Sequence, residues 1–319
     1  MNEVLLNIIY GIAGVAGLYY GAEFLVKGGS SIARKCGISP MVIGLTLVAF
    51  ATSAPELAVS IDSSLHGHGD VALGNVAGSN ICNIALILGL SALIAPLPVN
   101  RKLLKLDMPL MMAASLVLTG FFLLNRGVAR WQGIIFFLGI IAYMVWSIYS
   151  SRKEGVSEDD GGGEVEMKEV KLWLSLLLVA GGLIILVLGA RFFVGCAHFI
   201  AVQIGIPEAV IGLTVVALGT SLPELATSLV AALKHEQDIA IGNVVGSNIF
   251  NILCIMGISP IIKPIYAPGV QVFDLVVMLL CAALLWGMMI FGKKISRTEG
   301  AILLLINLAY TGFLIHRAI

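Results

Sequence analysis

The chain has 319 residues, 59% of them hydrophobic and only 12% charged, with a mean hydropathy of +1.01. That balance excludes an ordinary soluble globular domain. The formal net charge is zero, so the charges inform only through where they sit.

Apolar runs long enough to span a bilayer recur throughout. Ten spans are predicted, at roughly 3–26, 39–65, 70–95, 106–124, 131–150, 171–196, 208–233, 238–262, 271–291 and 298–316. The amino-terminal run lacks the positive flank and small-residue cleavage site of a signal peptide, so it is expected to stay as the first span. Its GAEFLV returns at 189 as GARFFV.

The second and third spans carry the strongest signal. Residues 44–91 reappear without a gap at 212–259, 168 positions later, with about 27 of 48 positions identical. In the second span Ala49, Thr52, Ser53, Glu56 and Ser60 fall on one helical face, three and four residues apart. Pro55 lacks a backbone donor and should kink or break that helix, freeing carbonyls in the preceding turn. In the third span Asn75, Ser79 and Asn83 follow at intervals of four. The seventh span repeats the first set as Ala217, Thr220, Ser221, Pro223, Glu224 and Ser228. The eighth repeats the second set as Asn243, Ser247 and Asn251. Gly74, Gly78, Gly242 and Gly246 form small-xxx-small steps suited to close helix packing.

Between the halves, residues 151–171 form the only markedly hydrophilic stretch. It lacks the alternating ligands of an EF-hand loop and reads as a solvated linker between a first repeat at 1–150 and a second at 172–319. If the amino terminus is outside, inner segments hold about fourteen Lys and Arg and outer ones about four, which satisfies the positive-inside rule. Both termini are then extracytoplasmic. Five spans per half is an odd number, so the second repeat enters from the opposite side and the repeats are inverted. Glu23 and Arg191, equivalent in the repeat, then lie near opposite faces and are not expected to pair. The five cysteines form no CxxC pair and read as buried small hydrophobes. His66 and His68 have Lys234 and Glu236 as repeat equivalents, which makes a solvated loop the better account of them than a metal site.

The glutamates decide the chemistry. An ionised carboxylate at mid-membrane costs at least a few kcal/mol unless paired, and no Lys or Arg lies within the four motif spans. A bound cation is the natural partner, with a proton as its substitute. Carboxylate, hydroxyl, amide and main-chain oxygens together suit hard cations such as Ca²⁺ and Na⁺. An intramembrane enzyme using Glu56 and Glu224 as an acid/base pair is the rival from another class, but the spans hold no HExxH motif and no Ser/His arrangement. A passive channel is a third option, opposed by paired acids that would hold a divalent ion too tightly.

ATSAPEL with GNVAGSNICNI, and GTSLPEL with GNVVGSNIFNI, resemble the two α-repeats of the calcium/cation antiporter superfamily, in its sodium/calcium exchanger branch. The resemblance covers essentially the whole chain. It implies an all-α integral membrane protein of ten helices in two inverted five-helix repeats, exchanging three Na⁺ for one Ca²⁺ by alternating access at the cell membrane. It further implies that Glu56, Glu224 and the main-chain oxygens of Thr52 and Thr220 bind Ca²⁺. One Na⁺ site would use Ser79, Ala217, Thr220 and Ser221 with Glu56. Its twin would use Ala49, Thr52, Ser53 and Ser247 with Glu224, and Asn83 and Asn251 would flank the middle site. Ala51 departs from the motif's usual Gly. Asn251 stands where potassium-dependent relatives carry Asp, which argues against K⁺ cotransport. The proton-exchanging branch shows GNxxE in place of TSxPE, so a Ca²⁺/H⁺ or other divalent-cation antiporter is the runner-up. No cofactor, nucleic acid or obligatory protein partner is expected; the partners are Ca²⁺ and Na⁺ as substrates and the lipid bilayer.

Overall fold

A bilayer core offers no water to backbone groups, so a chain this apolar closes its hydrogen bonds within each segment and becomes helical almost throughout. The structure, a computed structural model, describes residues 2–154, 171–205, 217–292 and 294–318. In chain order α1 is Asn2–Cys36, α2 Pro40–Thr52, α3 Ala54–Leu65, α4 Gly69–Ile94 and α5 Leu103–Asn125, and α6 Arg130–Glu154. Then follow α7 Leu172–Gln203, α8 Ala217–Thr220, α9 Leu222–Leu233, α10 Gln237–Ile262, α11 Val272–Phe291 and α12 Arg297–Ala318.

Among the described residues, eight helices are long and apolar enough to cross a membrane, and the bent pair α2–α3 makes a ninth span. The predicted span at 208–233 enters only through α8 and α9, because residues 206–216 lie outside the described residues. Positions 155–170 of the predicted linker lie outside them too.

Two helices outrun their predicted spans. α1 continues to Cys36 and α7 to Gln203, past the point where hydropathy falls. In α1 the extension is held by protein contact: Lys27 is exposed, while Gly28, Gly29, Ser30 and Ser31 around it are buried. Both helices stop just before a glycine in the left-handed region, Gly37 at φ +61° and Gly205 at φ +80°. α1 and α7 lie antiparallel with their backbones in contact. A Cβ on Gly21 would sit 2.6 Å from Leu186 N, and one on Gly189 would sit 2.7 Å from Leu18 N. This packing sets Arg191 near the level of Gly14 and Glu23 near that of Gly182, well apart. Glu23 instead accepts a hydrogen bond from Lys234 at 2.7 Å, a bond that holds the lysine above its ordinary pKa.

Among the described residues four short strands, absent from the all-helical expectation, tie the connections together. β1 (Leu97–Pro98), after α4, pairs with β4 (Lys294–Ile295), after α11. β2 (Gly127–Val128), after α5, pairs with β3 (Ile265–Tyr266), after α10. Two-residue strands are too short to show periodicity in a sequence. Residues 239–257 of α10 are all buried, whereas outer helices present apolar side chains such as Leu124 and Phe291 outward.

Candidate ion-binding site

The site begins with two interrupted helices. α2 and α3 are bent by 46°, and the break falls at Ser53, whose φ −80° and ψ 5° leave the helical range. Ser221 breaks the chain between α8 and α9 in the same way, at φ −87° and ψ 4°. Each proline sits in the first turn of the helix that follows, where its missing N–H costs least. The break therefore lies two residues before Pro55 and Pro223 rather than at them.

This placement sets Glu56 and Glu224 in the first turns of α3 and α9. The positive end of the helix dipole favours a carboxylate there. Both side chains are 1% exposed. Each takes one hydrogen bond from the opposite half: Ser53 Oγ donates to Glu224 Oε1 at 2.9 Å, and Ser221 Oγ donates to Glu56 Oε1 at 3.2 Å. The second oxygens, Glu56 Oε2 and Glu224 Oε2, are buried with no hydrogen-bond partner. Among the described residues no lysine or arginine forms an ion pair with either acid.

α4 and α10 brace the two breaks. Asn75 Nδ2 donates to the Glu56 carbonyl at 3.2 Å and to Ser60 Oγ at 3.1 Å. Asn243 Nδ2 donates to the Glu224 carbonyl at 3.3 Å and to Ser228 Oγ at 3.0 Å, and its Oδ1 accepts from Thr52 Oγ1 at 3.0 Å. Asn83 and Asn251 each open a π-helical stretch, Asn83–Leu88 and Asn251–Ile255. Such widened turns recur at functional sites. The amide groups of both are bonded, yet Asn83 Oδ1 and Asn251 Oδ1 have no donor although both residues are 1% exposed.

Two side-chain groups result. Ser79 meets Ser221 at 3.3 Å beside Glu56, and Thr220 Oγ1 is buried without a partner. On the other side Thr52 Oγ1 lies 3.3 Å from the Ala49 carbonyl and 3.5 Å from Ser247 Oγ, while Ser53 holds Glu224. Ala217 opens α8, but its side chain is outside the described residues. His66, exposed, donates from Nδ1 to the Asp62 carbonyl at 2.9 Å and stays apart from both groups. Sequence reasoning missed Asn80 and Asn248, which bond to the amides of Asn251 and Asn83. Their signal was available, since both motif copies read GSN.

Chemically, the unpartnered oxygens of the two buried acids, Glu56 Oε2 and Glu224 Oε2, are hard acceptors with no lysine or arginine paired to them among the described residues. Hard metal ions match such a donor set. Among the described residues no group of three His, Cys, Asp or Glu is placed to hold a metal.

Known proteins agree with this architecture. The family model described as sodium/calcium exchanger protein matches twice, over residues 6–149 and 174–316. The sodium/calcium exchanger MaX1 of Methanosarcina acetivorans is 33% identical over 96% of this chain and 98% of its own. The putative antiporter CaxA of Alkalimonas amylolytica is 38% identical over 96% of this chain and 98% of its own. A solved structure of the sodium-calcium exchanger NCX_Mj superposes with a TM-score of 0.84 at 32% identity, covering 98% of this chain and 99% of that one.

Proposed function

Since the chain belongs to the sodium/calcium exchanger family and is a multi-pass membrane protein, we propose that it exchanges Na⁺ for Ca²⁺ across the plasma membrane by alternating access, three to one. The observation that carries this reading is the pair of buried glutamates, each with one oxygen held by the other half and one oxygen free of protein donors. Two carboxylates neutralise the charge of one divalent cation such as Ca²⁺. Glu56, Glu224 and the main-chain oxygens of Thr52 and Thr220 bind it in this account. Na⁺ ions take the flanking groups around Ser79, Ala217, Thr220 and Ser221, and around Ala49, Thr52, Ser53 and Ser247. Asn83 and Asn251 face the middle site.

Ten spans in two inverted repeats, with both termini outside, complete the proposal. Its support is the crossing of the strand pairs. The connection after α4 meets the one after α11, and the connection after α5 meets the one after α10. In each pair a third-loop position of one half meets a fourth-loop position of the other, the pattern inversion produces and parallel repeats do not. Exchange of Ca²⁺ for H⁺ is the competing reading, because a proton also satisfies a buried carboxylate.

The test is calorimetric titration of the purified protein with Ca²⁺ at rising Na⁺. Competitive weakening of Ca²⁺ binding by Na⁺ supports a shared site. Ca²⁺ binding indifferent to Na⁺ but weakened by acid overturns Na⁺ as the coupling ion.

A further inference from the structure

Asn80 and Asn248 stand one residue after Ser79 and Ser247, on α4 and α10, and no ion role falls to them in the exchange reading above. Both are buried, at 1% and 0% exposure. Their bonds cross between the halves. Asn80 Oδ1 accepts from Asn251 Nδ2 at 3.0 Å, and Asn248 Oδ1 accepts from Asn83 Nδ2 at 3.0 Å.

A primary amide has an oxygen end and an NH₂ end of nearly equal size, and packing alone does not choose between them. Here the hydrogen bonds choose. Asn248 Nδ2 faces the Asn80 main-chain carbonyl at 3.5 Å, which can only accept, so the oxygen of Asn248 is turned toward Asn83. Asn80 Nδ2 faces the Met278 thioether at 3.6 Å, another group that only accepts, so the oxygen of Asn80 is turned toward Asn251. Each outer asparagine thus fixes the NH₂ end of an inner one. The inner oxygens, Asn83 Oδ1 and Asn251 Oδ1, are then the buried atoms left without donors.

We propose that Asn80 and Asn248 are positioning residues of the ion site, which turn the side-chain oxygens of Asn251 and Asn83 toward the cation and keep their NH₂ groups away from it. The inference rests on the cation-exchange reading and adds to it a source of selectivity. An NH₂ group turned inward would repel a cation and would compete for the free glutamate oxygens. Because each bond joins one half to the other, each repeat sets the ligand orientation of its partner.

Calorimetric Ca²⁺ titration across a double-mutant cycle separates this role from simple packing. Asn80→Leu keeps the branching at Cγ, in a somewhat larger side chain, but removes the acceptor. With Asn251 present, it is expected to weaken Ca²⁺ binding by about tenfold. In an Asn251→Ala background no amide remains to be oriented, and the same change is expected to cost about twofold or less. Equal losses in both backgrounds, or no loss in either, overturn the positioning role. If Asn80→Leu does not yield a monodisperse protein, Asn248→Leu in Asn83 and Asn83→Ala backgrounds repeats the cycle at the inverted position. Wild-type protein that binds neither Ca²⁺ nor Na⁺ removes the exchange reading itself, an outcome distinct from additive losses on a wild type that binds.

Discussion

Ser53 reaches across the molecule to Glu224, donating its hydroxyl hydrogen to Oε1 at 2.9 Å. Ser221 does the same for Glu56 at 3.2 Å. Each acid therefore lies on one half of the chain and takes its protein donor from the other. Neither half can build a complete site alone.

Ser53→Ala removes the hydroxyl that holds Glu224 and deletes one candidate Na⁺ ligand. A hydrogen bond to a charged group contributes about 1.5–3 kcal/mol. Ion affinity is therefore expected to fall by roughly tenfold or more, with Na⁺ affected at least as strongly as Ca²⁺. Half-saturating concentrations of both ions measure this, and unchanged values would remove Ser53 from the site.

Glu56→Gln or Glu224→Gln should abolish Ca²⁺ exchange while leaving a folded, monodisperse protein. The change keeps shape and hydrogen-bonding capacity but removes one of two negative charges facing a divalent ion. Near-normal transport by either variant would place the site elsewhere.

Transport should be electrogenic. Two carboxylates neutralise one Ca²⁺ and leave about one positive charge with three Na⁺, so each cycle is coupled to voltage by about 2.3 kcal/mol per 100 mV. The check is exchange rate against a valinomycin-set potential. Indifference to the potential would exclude a three-to-one ratio.

Asn251→Asp brings a third acid to the centre and removes the NH₂ group that Asn80 Oδ1 accepts. A proton or an extra monovalent cation must then balance the charge. Ca²⁺ transport is expected to become more pH-sensitive, with K⁺ dependence the bolder outcome. Asn83→Asp, facing Asn248, should shift the profile similarly. Profiles that superimpose on wild type would take both asparagines out of the ion site.

Glu23→Gln should change stability little. The pair with Lys234 lies at 2.7 Å, but its side chains are 29% and 44% exposed, and such pairs contribute about 0–1 kcal/mol. The lysine pKa is raised by the bond. The contribution is therefore full below the lysine's ordinary pKa and lost only as pH rises through its folded value. A thermal-unfolding midpoint lowered strongly at neutral pH would contradict this.

Much of the molecule was legible in the sequence, because lipid narrows the choices. A segment either closes its own backbone hydrogen bonds or stays out of the hydrocarbon, so apolar length foretold helices. A proline next to a buried acid marked the broken helices to within two residues, and a 168-residue offset paired the polar groups of the two halves. What stayed hidden depends on packing between distant segments. Periodicity alone does not say that Ser53 serves Glu224 rather than Glu56 on its own helix, a pairing that only the family resemblance implied, and nothing in the sequence says that Lys234 reaches Glu23. The orienting role of Asn80 and Asn248 was hidden for the same reason. They sit a residue beyond the serines of the motif face, and their partners lie on the opposite repeat.

The most direct test of the central claim is ⁴⁵Ca²⁺ uptake into proteoliposomes holding the purified protein, under imposed Na⁺, K⁺ or H⁺ gradients. Uptake driven by outward Na⁺, not supported by K⁺ or H⁺ alone and lost in Glu56→Gln, is the predicted result. Uptake driven by a proton gradient and not by sodium would contradict it.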